Sequence, residues 1–322
     1  MLDTLPGAVM IHDDSNPSGA APARAPLSEV SEGAPPPALD PVEPASENIP
    51  ELPIPPPTRP QFEASIPEDL RSPWGWLDLL AFIGFGFLGL LVAAGIVVGV
   101  AVVGFGVKIS DLGQASTTPA KSIIAIVAQA VWSGFVLLYF YALVRVRTQP
   151  RFWRAMGWRG LHFAGQTTST SILFCLGGGA MLALIVSFAG KFINEKNDLP
   201  IEELFHSRPT VILLMGFGIL VAPLVEETMF RGFLYPIVAR SFGVATGVAV
   251  TGVLFGAMHA QQLWGGWGQI SLLIGVGIVL TWVRARTGTV AASYLVHLGY
   301  NSLLFLGFFI GTGGLRHIPG AS

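Results

Sequence analysis

The chain has 322 residues, of which 52% are hydrophobic and 12% charged, with a formal net charge of −2. Its mean hydropathy is +0.61, and a soluble domain of ordinary composition carries about 25% charged residues. A surface so poor in charge does not stay dispersed in water, and it supplies no basic face for nucleic acid.

The charge that exists is divided along the chain. Residues 1–70 hold twelve acids against two arginines (−10), and residues 71–322 hold eight acids against sixteen bases (+8). Sixteen of the 24 prolines also fall before residue 71. Such a stretch cannot bury enough apolar surface to offset its ordering entropy, so residues 1–72 read as a disordered acidic tail, locally polyproline II near 53–60. Met1–Pro6 lacks a basic segment leading into an apolar one, and no cleavable signal peptide is expected there. The one cysteine, Cys175, lies in an apolar run and offers no disulfide.

From Trp74 the chain becomes apolar, with stretches at about 78–107, 122–144, 168–190, 210–239, 243–263, 266–283 and 288–312. Each approaches or exceeds the roughly 20 residues that cross a bilayer as a helix. The expected fold is therefore all-α: a polytopic transmembrane bundle of about seven spans, six to eight, behind the acidic tail. The expected division is a tail (1–72), a first span and loop (73–121), a core (122–314) and a short C-terminal tail (315–322). Loops bearing Arg145, Arg147, Arg151, Arg154, Arg159, Arg240, Arg284 and Arg286 outweigh the lysines and arginines of the other side, which places them in the cytoplasm. Gly84, Gly86 and Gly89 match a nucleotide-binding pattern, but without a strand before them they read as helix-packing residues. Gly252 and Gly256 read the same way.

Ionisable groups inside membrane spans are costly and mark function. Here they are Glu226, Glu227 and Arg231 in the fourth span, His259 in the fifth and His297 in the seventh. Glu227 and Arg231 stand at i and i+4, in the better order for an ion pair. Glu226 points about 100° away and is left to face a cavity. His297 and Asn301 share a face, as do Phe255 and His259. At a rise of 1.5 Å per residue, Glu226, His259 and His297 lie roughly 15–26 Å from the cytoplasmic helix ends, inside the hydrocarbon.

One carboxylate and two imidazoles converging there admit two chemistries. Glu226, His259 and His297 form a donor set suited to catalytic zinc. Alternatively, Glu226 with His259 activates water directly, while His297 and Asn301 stabilise the oxyanion. Both hydrolyse an amide. A non-catalytic reading, as transporter or scaffold, competes with them. The chain has no HExxH or GxSxG motif, and no aspartate follows Asp78 within a span.

The set Glu226-Glu227-x-x-x-Arg231, Phe255-x-x-x-His259 and His297-x-x-x-Asn301 resembles the CPBP family, the Abi or CAAX prenyl protease 2-like intramembrane proteases. Ala222-Pro223 and Phe230-Arg231-Gly232 match its surroundings. The resemblance extends over about 120–312. It implies a membrane endopeptidase with Glu226 catalytic, His259 assisting water activation, His297 and Asn301 holding the oxyanion, and Glu227 and Arg231 in support. It leaves a zinc enzyme and a metal-free glutamate enzyme equally open. Branches of that family trim prenylated CAAX proteins or mature peptides, so the particular substrate does not carry over; the expected partner is a peptide or membrane-protein substrate, and the expected location a bacterial plasma membrane.

Overall fold

The computed structural model describes residues 67–113, 119–147, 151–161, 163, 165–193, 200–205 and 207–318, all within one compact unit, Pro55–Ser322. The tail up to residue 66, with its polyproline stretch, lies outside those residues.

Every regular element among the described residues is helical. Six helices are long and apolar enough to cross a membrane, and a shorter apolar one accompanies them. In chain order they are α1 (Trp76–Phe105), α2 (Pro119–Arg147), α3 (Thr168–Gly190), α4 (Arg208–Phe242), α5 (Val244–Met258), α6 (Trp267–Thr287) and α7 (Val290–Gly311). The seven apolar stretches of the sequence are thus seven helices, but α5 has only 15 residues. At 1.5 Å per residue it is about 22 Å long, short of a ~30 Å hydrocarbon core. It stops because the backbone turns at His259 and does not resume as helix until Trp267.

The outward surface is as apolar as the interior. Leu77, Phe87, Val103, Leu173, Phe174 and Phe188 are all more than 60% exposed, a patchwork that water would not tolerate and lipid does. Inside, α1, α2 and α4 meet through stacked and edge-on rings: Phe82 lies 4.8 Å from Phe140 and 5.5 Å from Phe233. α3 packs along α7, and α5 along α6. Both pairs depend on glycine. A Cβ on Gly252 or Gly256 would sit 2.6 or 2.8 Å from the backbone nitrogens of Ile278 and Ile274 on α6. Gly179 and Gly299 likewise leave no room for a side chain between α3 and α7. Of the other glycine trio, Gly84 and Gly86 face open space, and only Gly89 packs on neighbouring rings.

One end of the bundle collects arginines. Arg147 pairs with Asp78 at 2.7 Å, Arg159 with Glu68 at 3.0 Å and Arg284 with Asp69 at 2.9 Å. Arg240 donates to the carbonyls of Ser72 and Trp74. The sequence assigns residues up to 72 to the tail. Residues 67–72 instead form an ordered strap, held because its acids meet these guanidiniums and Leu70 is buried against Tyr235 and Ala239.

Candidate functional site

The site is built on an irregular helix. Within α4, Phe217–Val221 and Thr228–Leu234 are π-helical, flanking the α-helical turn Ala222–Glu227. Each π segment ends just before a proline, Pro223 or Pro236. A proline inside a helix removes a donor and crowds the carbonyl four residues back, and widening the turn accommodates the ring. The N–H of Ala222 bonds to the carbonyl of Phe217, five residues back. The next bond in that register would join residue 223 to Gly218, and Pro223 has no N–H to give. Asn301 on α7 supplies it: its Nδ2 donates to the Gly218 carbonyl at 2.7 Å. One N–H of the Asn301 amide is thereby engaged with the backbone, and the other remains.

Glu227 and Arg231 pair at 2.8 Å, both fully buried. The guanidinium is saturated from several sides. Nη2 donates to the Gly277 carbonyl and Nε to Thr281 Oγ1 on α6, and its carbon lies 4.6 Å from the centre of the Phe255 ring. Glu227 also takes His297. Oε1 of Glu227 is 3.0 Å from His297 Nδ1. A carboxylate paired with arginine is acceptor-only, so Nδ1 carries the proton and donates. The other ring nitrogen, Nε2, faces Glu226, with Oε2 at 3.9 Å. His297 therefore stands between the two glutamates, a link that the sequence, which paired it only with Asn301, does not reveal.

His259 sits where α5 ends. Its Nδ1 lies 2.9 Å from the carbonyl of Phe255, one turn back. A carbonyl can only accept, so Nδ1–H donates, and Nε2 of the neutral ring is left with its lone pair. Phe255 packs on both imidazoles, with ring centres 5.1 Å from His259 and 5.7 Å from His297.

Glu226 is the carboxylate that reaches open space, with its side chain 17% exposed. Two cavities meet at it. One, of about 530 Å³, runs among α1, α2, α4 and α5 and is lined by Phe82, Phe87, Met229, Phe230 and Leu254. The other, of about 360 Å³, is lined by Phe217, Gly218, Val276, His297, Asn301 and Leu304, and also by Ile201, Leu204 and Phe205 of the short Pro200–Phe205 helix. Glu226, His259, Gln129 and Gln262 line both. The six residues singled out in the sequence thus divide. Glu226, His259, His297 and Asn301 border a cavity, while Glu227 and Arg231 lie behind them in the packed interior. Gln129 on α2 and Gln262 in the turn after α5 escaped notice, because a search for charge inside spans passes over amides. An uncharged amide amid the apolar residues of α2 is the signal that finds Gln129.

Two imidazoles and a carboxylate are chemically a zinc donor set. As placed, no group of three or more His, Cys, Asp or Glu side chains among the described residues is arranged to hold a metal ion.

Comparison with known proteins bears on this same region. Residues 208–303, from α4 into α7, match the family model described as type II CAAX prenyl endopeptidase Rce1-like. An Escherichia coli protein described as an uncharacterized 24.3 kDa protein is 27% identical over 174 residues, spanning 53% of this chain and 76% of the relative. No solved structure matches.

Proposed function

We propose, from the membership of the CPBP family of CAAX-type proteases that residues 208–303 support, that this chain is an intramembrane endopeptidase using Glu226 as its general base. The observation that carries the reading is that Glu226 and His259 line both cavities, so a chain lying across the two would pass them. Glu226 takes a proton from water as the water oxygen bonds to the peptide carbonyl carbon, and the carbonyl electron pair moves onto oxygen. His259, with its Nε2 lone pair, orients or assists in deprotonating that water. The oxyanion is stabilised by the remaining N–H of Asn301 and by His297. With Nδ1–H given to Glu227, His297 offers a second donor when protonated on Nε2. Collapse of the tetrahedral species expels the amine, which receives the proton held by Glu226. Glu227 and Arg231 fix the orientation of His297 rather than react.

No step is routed through a metal here, since among the described residues no three His, Cys, Asp or Glu side chains are arranged to share an ion. Its substrate is a peptide or membrane-protein segment in the bilayer, and its setting a bacterial plasma membrane. The test compares the membrane proteomes of cells carrying the wild-type chain with those carrying Glu226→Gln. The expected result is one or more peptides cleaved only by wild type, and cleavage of the purified peptide should fall by about 10²–10⁴ in the variant. Identical peptide sets would overturn the assignment. Dialysis against a strong chelator should leave turnover intact; loss restored by zinc alone would assign Glu226, His259 and His297 to a metal instead.

A further inference from the structure

A third cavity lies at the arginine end of the bundle. It encloses about 170 Å³ beneath the 67–72 strap, and Asp69, Ser72, Arg154, Gly157, Arg159 and Arg284 are among its walls. Three of these residues carry a buried donor without a partner: Arg159 Nε, Arg284 Nε and Ser72 Oγ. Arg284 is fully buried, and a Cβ on Gly157 would come within 3.7 Å of its Nε. Its two terminal nitrogens each donate to Asp69, at the carboxylate and at the carbonyl, while its Nε has no partner. Arg154 is exposed and forms no ion pair among the described residues.

Buried donors without acceptors cost free energy comparable to a lost hydrogen bond, and more when the group is charged. Three of them on residues that line one space, with four guanidiniums (Arg71, Arg154, Arg159 and Arg284) against the carboxylates of Asp69 and Glu68, describe a receptor for an oxyanion. Asp69 and Glu68 pair with Arg284 and Arg159 and leave the balance positive. The location narrows the ligand. The cavity lies where α2 and α6 end and α1, α3 and α7 begin, the level of a headgroup layer. Trp153 and Trp158, their rings 5.4 Å apart, line an adjoining cavity that shares Arg154 and Arg159. Tryptophans at that level belong to the interfacial belt, and basic pockets between helix ends are where anionic headgroups lodge. We propose that this cavity binds a phosphate group, presented by an anionic phospholipid or taken up as the free ion. The site is independent of the hydrolase reading.

The test uses the full chain in a neutral detergent and phosphate-free buffer, with the thermal unfolding midpoint as readout. One arm adds sodium phosphate against sodium chloride at equal ionic strength. The other adds phosphatidylglycerol against phosphatidylcholine. A midpoint raised by either phosphate source supports the site: phosphatidylglycerol alone identifies a headgroup, phosphate alone the free ion, and both a group accepted from either. In the Ser72→Ala/Arg154→Gln double variant the apparent affinity should fall about tenfold or more, the loss expected of a charge-assisted contact. Arg151→Gln, which borders only the neighbouring cavity, should bind as wild type. No shift with either probe, or equal shifts in wild type and the double variant, would overturn the proposal.

Discussion

Adjacent glutamates in one helical turn have opposite surroundings. Glu227 is sealed against Arg231 and His297, while Glu226 reaches the junction of two cavities. The distinction is testable by isosteric substitution. Glu227→Gln removes one partner of a fully buried ion pair and leaves a guanidinium uncompensated. The expected cost is roughly 3–5 kcal/mol, read as a lowered unfolding midpoint in detergent. Glu226→Gln removes a carboxylate that has no arginine within ion-pair distance among the described residues, so its midpoint should stay near wild type while cleavage is lost. Equal destabilisation of the two variants would contradict this division. The charged members of the site were legible in the sequence because charge inside a span is rare and i, i+4 spacing places Arg231 over Glu227. The contact of His297 with Glu227 was not legible, since it joins helices 70 residues apart. Nor was the partial engagement of Asn301, which follows from a carbonyl that Pro223 leaves without a donor.

At the level of elements, hydropathy located all seven helices, since each had to be apolar along its whole length to face lipid. It missed how α5 ends and how α4 widens into π-helical turns. Those depend on a histidine capping a turn and on two prolines widening a helix, events that change the average hydropathy very little. The contact of α5 with α6 gives the sharpest expectation here. A valine at Gly252 would place its Cβ 2.6 Å from the Ile278 nitrogen. Backbone cannot yield as a side-chain tip does, so the helices must separate, at an overpacking cost of about 1–3 kcal/mol. That separation would also displace Phe255 and, through it, both imidazoles. Gly99→Ala on α1, where a Cβ meets nothing within 4 Å, is the matched control and should leave the unfolding midpoint unchanged. A Gly252→Val protein as stable as the control would show that the two helices are not held at glycine distance.

For the whole molecule, the consequence of the architecture is a pair of cavities that share Glu226 and His259 in their walls. α5 falls short of the far face, and the turn that follows it carries His259 and Gln262 to the place where two cavities join. One cavity is bordered by α1 and α2 and the other by α6 and α7. If substrate lies across both, closing either should impair cleavage without touching the chemical groups. Leu254, 44% exposed, lines the first, and Leu304, 38% exposed, lines the second. A tryptophan at either position has room to turn outward as well as to fill its cavity, so stability should be little changed. With the peptide found by membrane proteomics, each of Leu254→Trp and Leu304→Trp should lower kcat/KM by about tenfold or more, a barrier increase of roughly 1.4 kcal/mol. The loss should appear mainly in KM, because the groups around Glu226 are left in place. An effect confined to one variant would assign the substrate to that cavity alone. Wild-type turnover in both would mean that the peptide reaches Glu226 by neither route.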